Sequence, residues 1–197
     1  MNPDNASDTP EERIVRAATE CFARWGVAKT SMGDIAEAAR MQRPHLYRHF
    51  DGKEALITTV MVRESRALSE ERLLMFPRRG RASTLFVEAL MYGQQRLARN
   101  DFASHIIANG SGLLVRLLAA NSAFVEAEGV WWNPALDYGR ARGEVREAVG
   151  NTDIIRWFLL SQLTVHDRRE LFTNETDVHS HLEHFVVPAI LCNDAGG

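Results

Sequence analysis

Gln42, Arg43, Pro44, His45, Leu46, Tyr47, Arg48, His49 and Phe50 follow one another without a gap. Leu46 and Phe50 are four apart and share one helix face, which turns Arg43, His45, Tyr47, Arg48 and His49 mostly outward. A planar guanidinium matches O6 and N7 of guanine, and a good bidentate pair is worth roughly 1–3 kcal/mol of discrimination. Phenol, imidazole and ammonium groups suit phosphate oxygens, which set register without reading sequence. Arg43 and Arg48 are the leading candidates for reading bases, with a pure phosphate contact an equal alternative for Arg48. Pro44 can lie against a thymine methyl, and it also fits a helix only in its first turn.

A helix this short does not hold alone in water, so its neighbours must brace it. Thr9-Pro10-Glu11-Glu12 opens the first one: Thr9 caps, Pro10 takes the first position and Glu12 completes a capping box. Ile14, Ala18, Cys21, Phe22 and Trp25 then recur at helical spacing until Gly26 stops the run. Ser31-Met32-Gly33-Asp34 is a second capping box, opening a helix through Ala39, with Arg40-Met41-Gln42 as the turn. Two short helices and a tight turn make a helix-turn-helix, whose second helix enters the DNA major groove. Thr30 and Ser31 offer hydroxyls to phosphate there, with capping alone the plainer reading of Ser31.

Asp51-Gly52-Lys53-Glu54 reads as a third box, opening a long helix to about Phe76. Its inner side is expected to hold Leu56, Ile57, Val60, Met61, Leu68, Leu73 and Leu74. Pro77-Arg78-Arg79-Gly80-Arg81 breaks it as a solvated basic loop. Further amphipathic helices are expected over Ser83–Arg99, Phe102–Ala108, Leu113–Glu126, Ala135–Arg142, Asp153–His166 and Asp177–Leu191, with Pro188 kinking the last or ending its regular part. No strand, hairpin signal or repeat is evident. The expected class is all-α: a polar tail over 1–8, a three-helix DNA-binding head over 9–52 and a helical effector-binding and dimerisation domain over 53–197.

The chain has 197 residues, 45% hydrophobic and 25% charged, with a net charge of −3. That balance suits a globular fold with a sizeable core and argues against indiscriminate nucleic-acid binding over the whole surface. Cys21 and Cys192 sit among apolar neighbours far apart in sequence, and read as buried free thiols in a reducing compartment. With no signal-peptide stretch and no apolar run long enough for a bilayer, the expected location is the cytoplasm.

One set of residues carries a family resemblance. Ala18 and Phe22, Gly26, Thr30-Ser31, Asp34-Ile35-Ala36, Ala39, and Leu46-Tyr47-Arg48-His49-Phe50 followed by Lys53 and Leu56 stand in the order and spacing of the tetracycline-repressor (TetR) regulators. The chain resembles that family over roughly residues 10–57. The resemblance implies an all-helical homodimer with two DNA-reading heads, responsive to a small molecule. It places Pro44 and His45 beside Arg43 and Arg48 at bases, and Tyr47, His49 and Lys53 on phosphate. Lys53 also stands near the start of the long helix, where backbone N–H groups favour anions. Two positions depart from the pattern. Arg40 stands where the family usually has Gly, at a cost of roughly 1 kcal/mol if the backbone there is left-handed. Gly33 stands where a longer side chain often faces DNA, so the third helix must carry more of the reading.

The resemblance also places an effector pocket among the helices from Ser83 to Arg142. Phe86, Leu90, Tyr92, Phe102, Leu113, Leu117, Phe124, Trp131 and Trp132 are candidate lining residues, each with plain core packing as the alternative; the aromatic weighting suits a hydrophobic effector. The last two long helices would pair with their symmetry mates, through Ile155, Phe158, Leu159, Leu182, Phe185 and Val186. His179, His181 and His184 lack a completing Cys or carboxylate set, so no metal or other cofactor is expected. No phosphate loop, dinucleotide fingerprint, Gly-x-Ser-x-Gly or His-Glu-x-x-His supports an enzyme, and Ser161 with His166 has no supporting motif. The expected partners are operator DNA, a second copy and the effector. An activator, a regulator without ligand control and a pure protein-interaction module remain alternatives.

Overall fold

The computed structural model describes residues 9–99 and 122–192. The described residues form helices α1 (Pro10–Trp25), α2 (Met32–Ala38), α3 (Arg43–His49), α4 (Lys53–Met75), α5 (Ala82–Ala98), α6 (Ser122–Ala141), α7 (Asn151–Asp167) and α8 (Glu175–His181). The only β-type pairing among them is an isolated antiparallel bridge between Val145 and Leu191. The tail 1–8, the expected helix Phe102–Ala108 and most of Leu113–Glu126 lie outside the described residues.

The first two capping boxes form as the sequence dictates. The Thr9 and Ser31 hydroxyls accept from the N–H groups of Glu12 and Asp34, whose carboxylates return the bond. Gly26 ends α1 with φ 77°. Arg40 adopts φ 53°, the left-handed region in which a Cβ crowds the following carbonyl. The expected third box does not form: Gly52, not Asp51, precedes α4, and no side chain caps that helix. Trp25 turns outward beneath the Arg24 guanidinium rather than joining the apolar face of α1.

Helix α4 departs from expectation in its second half. Leu56, Ile57, Val60 and Met61 are buried, but the same stripe continues through Ser65, Ser69 and Arg72. Leu73 and Leu74 fall on the opposite face, and Leu74 is 87% exposed. The helical period decides this: three- and four-residue steps from Met61 lead to 65, 69 and 72, and bypass 73 and 74. Helix α6 is continuous through Pro134. It lies along α4 and presents Phe124, Glu128, Trp131, Trp132 and Ala135 inward. The end of the chain loosens by steps: α8 widens to a π-type turn over Leu182–Val186 and tightens to a 3-10 turn over Val187–Ile190, which contains Pro188. Asn174, not Asp177, sets its start by capping the Asp177 N–H.

Cys21 is buried in the head, whereas Cys192 is exposed, contrary to the expectation of two buried thiols. Cys192 follows directly on the Val145–Leu191 bridge. No described helix is long and apolar enough to cross a membrane.

Candidate nucleic-acid interface and central cleft

Helix α3 is anchored by two side chains. Leu46 is wholly buried and Phe50 nearly so, against a core that includes Phe22, Ile35 and Leu56. That anchor turns Arg43, Pro44, Tyr47, Arg48 and His49 to solvent, with His45 partly covered. The His45 and His49 rings stack at 5.4 Å, forming one imidazole ledge beside the arginines. Gly33 lies beside Arg43: a Cβ there would stand 3.8 Å from the Arg43 Cδ and Cζ atoms, in van der Waals contact. Asp34 lies nearby, its carboxyl held below the ordinary carboxylate range chiefly by the Ser31 backbone N–H.

The expected phosphate set divides. Tyr47 and His49 are exposed, and Ser31 is exposed with its hydroxyl donated to Asp34. Thr30 is only 1% exposed, and its hydroxyl reaches the carbonyls of Gly26 at 2.8 Å and Cys21 at 3.2 Å. It fixes the loop after α1 and does not face a ligand from there. Lys53 also turns inward, donating to the Val27 and Thr30 carbonyls. Its position at the head of α4 suggested a phosphate grip, yet unpaired loop carbonyls lie within its reach.

The expected pocket and interface residues differ widely in burial. Phe86, Trp131, Trp132 and Phe158 form one edge-packed aromatic cluster, with Trp132 4.5 Å from Phe158 between ring centroids. Leu90 is wholly buried as well. These residues belong to the buried core. Tyr92 instead donates its hydroxyl to Glu71, whose carboxyl the Arg96 guanidinium holds below its ordinary range. Phe102, Leu113 and Leu117 lie outside the described residues. Among the expected interface residues, Ile155, Phe158, Leu159, Leu182 and Val186 are buried within the protomer, whereas Phe185 is 70% exposed. The outward apolar residues of α7 are Trp157 and Leu160, one register away.

Open space lies elsewhere, between α4, α5, α6 and α7. A cleft of about 690 Å³, counting the part open to solvent, is lined by Met61, Leu68, Leu97, Phe124, Leu159 and Leu163, with Gly93, Glu128 and Gln162 at its polar side. Of the expected lining residues that are described, only Phe124 belongs to it. Behind that polar side Arg72 is fully buried, its Nη1 donating to the Glu128 carboxylate at 2.9 Å and its guanidinium flanked by Trp131 and Trp132. Ser69 donates to the Glu128 carbonyl, and Gln162 to that of Leu90. The sequence did carry a signal for this network: Arg72 and Glu128 both fall at helical spacing among residues that bury.

The histidines of the last helix serve packing. His181 stacks on Phe185 and meets Phe172 edge-on, while His184 faces the Ser180 carbonyl. No metal-binding group of three or more side chains occurs among the described residues. The Ser161 hydroxyl is donated to the Trp157 carbonyl of its own helix, so it is not poised against His166.

Comparison with known proteins bears on the head most directly. Residues 14–60 match the model of the bacterial regulatory proteins of the tetR family. Residues 14–60 therefore carry the helix-turn-helix head of that family. It is similar to an HTH-type transcriptional regulator of Mycobacterium tuberculosis, 43% identical over 60 residues, which is 30% of either chain. The probable acrEF/envCD operon repressor of Escherichia coli K12 is 34% identical over 64 residues, or 32% of this chain and 29% of that one. The matched stretch thus spans under a third of these relatives' length. The whole fold is similar to RolR in complex with resorcinol, with a TM-score of 0.70 and 14% identity, covering 92% of this chain and 87% of that one.

Proposed function

We propose that this protein is a homodimeric transcriptional repressor of the TetR type, held on a near-palindromic operator by two α3 helices and released by a small molecule. The observation that carries the reading is α3 itself. One buried leucine anchors a seven-residue helix whose Arg43, Pro44, Tyr47, Arg48 and His49 all face solvent. Arg43 and Arg48 read bases, with Pro44 and His45 beside them; Tyr47, His49 and Ser31 grip phosphate. The head extends over residues 9–52 and the effector and dimerisation domain over 53–197. Two heads related by a two-fold axis suit half-sites about one helical turn apart.

Release requires that the ligand bind the free state more tightly than the DNA-bound state. Helix α4 joins the head to the cleft, because Lys53 opens it at the head while Met61, Ser65 and Leu68 line the cleft. The cytoplasm is the compartment where such a protein meets its operator. Selection of bound sequences from a random duplex pool tests the reading. A recovered palindrome with salt-sensitive binding is the expected result; a pool without enrichment sinks it.

A further inference from the structure

The wall of the cleft is mostly hydrocarbon, and Ser65 of α4 and Gln162 of α7 interrupt it. Each of the two is more than nine-tenths buried, Ser65 at 7% exposed and Gln162 at 7%. The Ser65 hydroxyl makes no hydrogen bond among the described residues. Gln162 donates its Nε2 to the Leu90 carbonyl at 3.2 Å. That bond fixes which end of the amide is nitrogen, and the remaining Oε1 accepts from no described residue. Gly93 leaves room for the amide, since a Cβ there would stand 2.2 Å from Nε2.

These two oxygens are reachable. Among the described residues, the buried side-chain atoms that are both unpaired and sealed from solvent belong to Arg72, Trp131 and Trp132. Ser65 Oγ and Gln162 Oε1 are unpaired without being sealed, and the cleft is the open space that both residues border.

Their chemistry selects a donor. An amide oxygen only accepts, whereas a hydroxyl both accepts and donates. A ligand group that covered Gln162 Oε1 without donating to it would leave a buried acceptor unmade, which is costly. Ether and ketone oxygens cannot donate. An ammonium can, but it would surrender its hydration among leucine, methionine and phenylalanine. The carboxylate on this side of the lining, Glu128, is already held by Arg72 at 2.9 Å, and Glu64, the other lining carboxylate, is likewise engaged. A hydroxyl donates to Gln162 and takes either role with Ser65, at no cost in charge burial.

We propose that the cleft takes an uncharged, largely apolar molecule bearing a hydroxyl, received by Gln162 Oε1 and Ser65 Oγ. The proposal rests on the effector reading above and specifies the chemistry of that ligand.

The test uses four probes with the same number of non-hydrogen atoms on the full-length protein: 4-phenyl-1-butanol, 3-phenylpropyl methyl ether, pentylbenzene and 4-phenylbutylamine. Affinities come from calorimetry and thermal shift. The alcohol should bind at least tenfold more tightly than each of the other three. Ser65→Ala removes a single oxygen, and Gln162→Met keeps the side-chain length; each, checked for native helicity, should cut the preference for the alcohol at least threefold. The paired variant should abolish it while pentylbenzene affinity stays within threefold. An ether or hydrocarbon that equals the alcohol, an amine that matches it, a preference unchanged in both single variants, or no binding of any probe at millimolar concentration would each overturn the proposal. Operator affinity measured with saturating alcohol is scored separately. A bound alcohol that leaves DNA binding unchanged counts against the effector reading, and leaves the hydroxyl recognition standing.

Discussion

Lys53 Nζ donates to the main-chain carbonyls of Val27 at 2.9 Å and Thr30 at 3.1 Å. The first residue of α4 is therefore tied to the loop between α1 and α2, and the Thr30 hydroxyl ties that loop back to α1. Head and lever share one set of hydrogen bonds. A rotation of α4 that began at the cleft would carry this loop with it, and α2 begins immediately beyond. The proposed coupling would need no long pathway, because α4, about 34 Å long for 23 residues at 1.5 Å each, reaches from the head past the cleft.

Replacing Lys53 tests this assignment against a phosphate grip. Lys53→Met removes two charge-assisted bonds and leaves two partly buried carbonyls unpaired, so stability should fall by about 1–2 kcal/mol in urea unfolding. A lysine engaged inside the fold should contribute nothing to counterion release, so the slope of log affinity against log salt should stay at the wild-type value. A slope shallower by about 0.9 would instead put Lys53 on phosphate.

Arg43 has a different expected signature. Arg43→Ala should weaken binding to the selected operator by about 1–3 kcal/mol and relax preference at one base pair in each half-site. Melting temperature and dimer mass should not change, because Arg43 is exposed and anchors nothing. Fluorescence anisotropy on single-base operator variants makes the measurement. A uniform loss across all variants would demote Arg43 to a phosphate contact.

The head was legible because its residues speak locally. Capping boxes at Thr9 and Ser31, a glycine at 26 and a proline at 44 each fix a few backbone angles whatever surrounds them. The second domain was less legible because its faces are decided by partners far away in sequence. Leucine at 73 and 74 looked like core, yet the stripe that meets α6 carries Ser69 and Arg72, and only Glu128, 56 residues on, makes Arg72 tolerable there. Phe158 looked like an interface for the same reason: apolar content says that a residue is buried and leaves open against what.

The interface itself separates two substitutions on one region. Phe185→Glu places charge on an exposed ring, whereas Phe158→Glu would strand a carboxylate in the aromatic cluster. Sedimentation should show Phe185→Glu as a folded protein with weakened dimerisation. Phe158→Glu should lose several kcal/mol, about 3–5 for the ring alone, and fail to fold. An intact Phe185→Glu dimer would move the contact to Trp157 and Leu160 or elsewhere.

Acid should destabilise the protein in two windows. Burial is the main reason that His166 stays below its ordinary value of 6.5, with Asp167 opposing. Its hollow also holds Arg99, Arg169 and Glu175. The unfolded chain therefore takes up the proton first, and stability present above about pH 6.5 is lost as pH falls through that value. Glu71, depressed chiefly by Arg96, and Asp34, depressed chiefly by the Ser31 N–H, act in the same direction at lower pH. Their contribution is present above their ordinary values of 4.5 and 3.8 and is lost below them. Melting temperature against pH should show a decline beginning near 6.5 and a steeper one below about 4.5. His166→Gln should remove the first decline and keep the second. If the first decline persists in that variant, another histidine owns it.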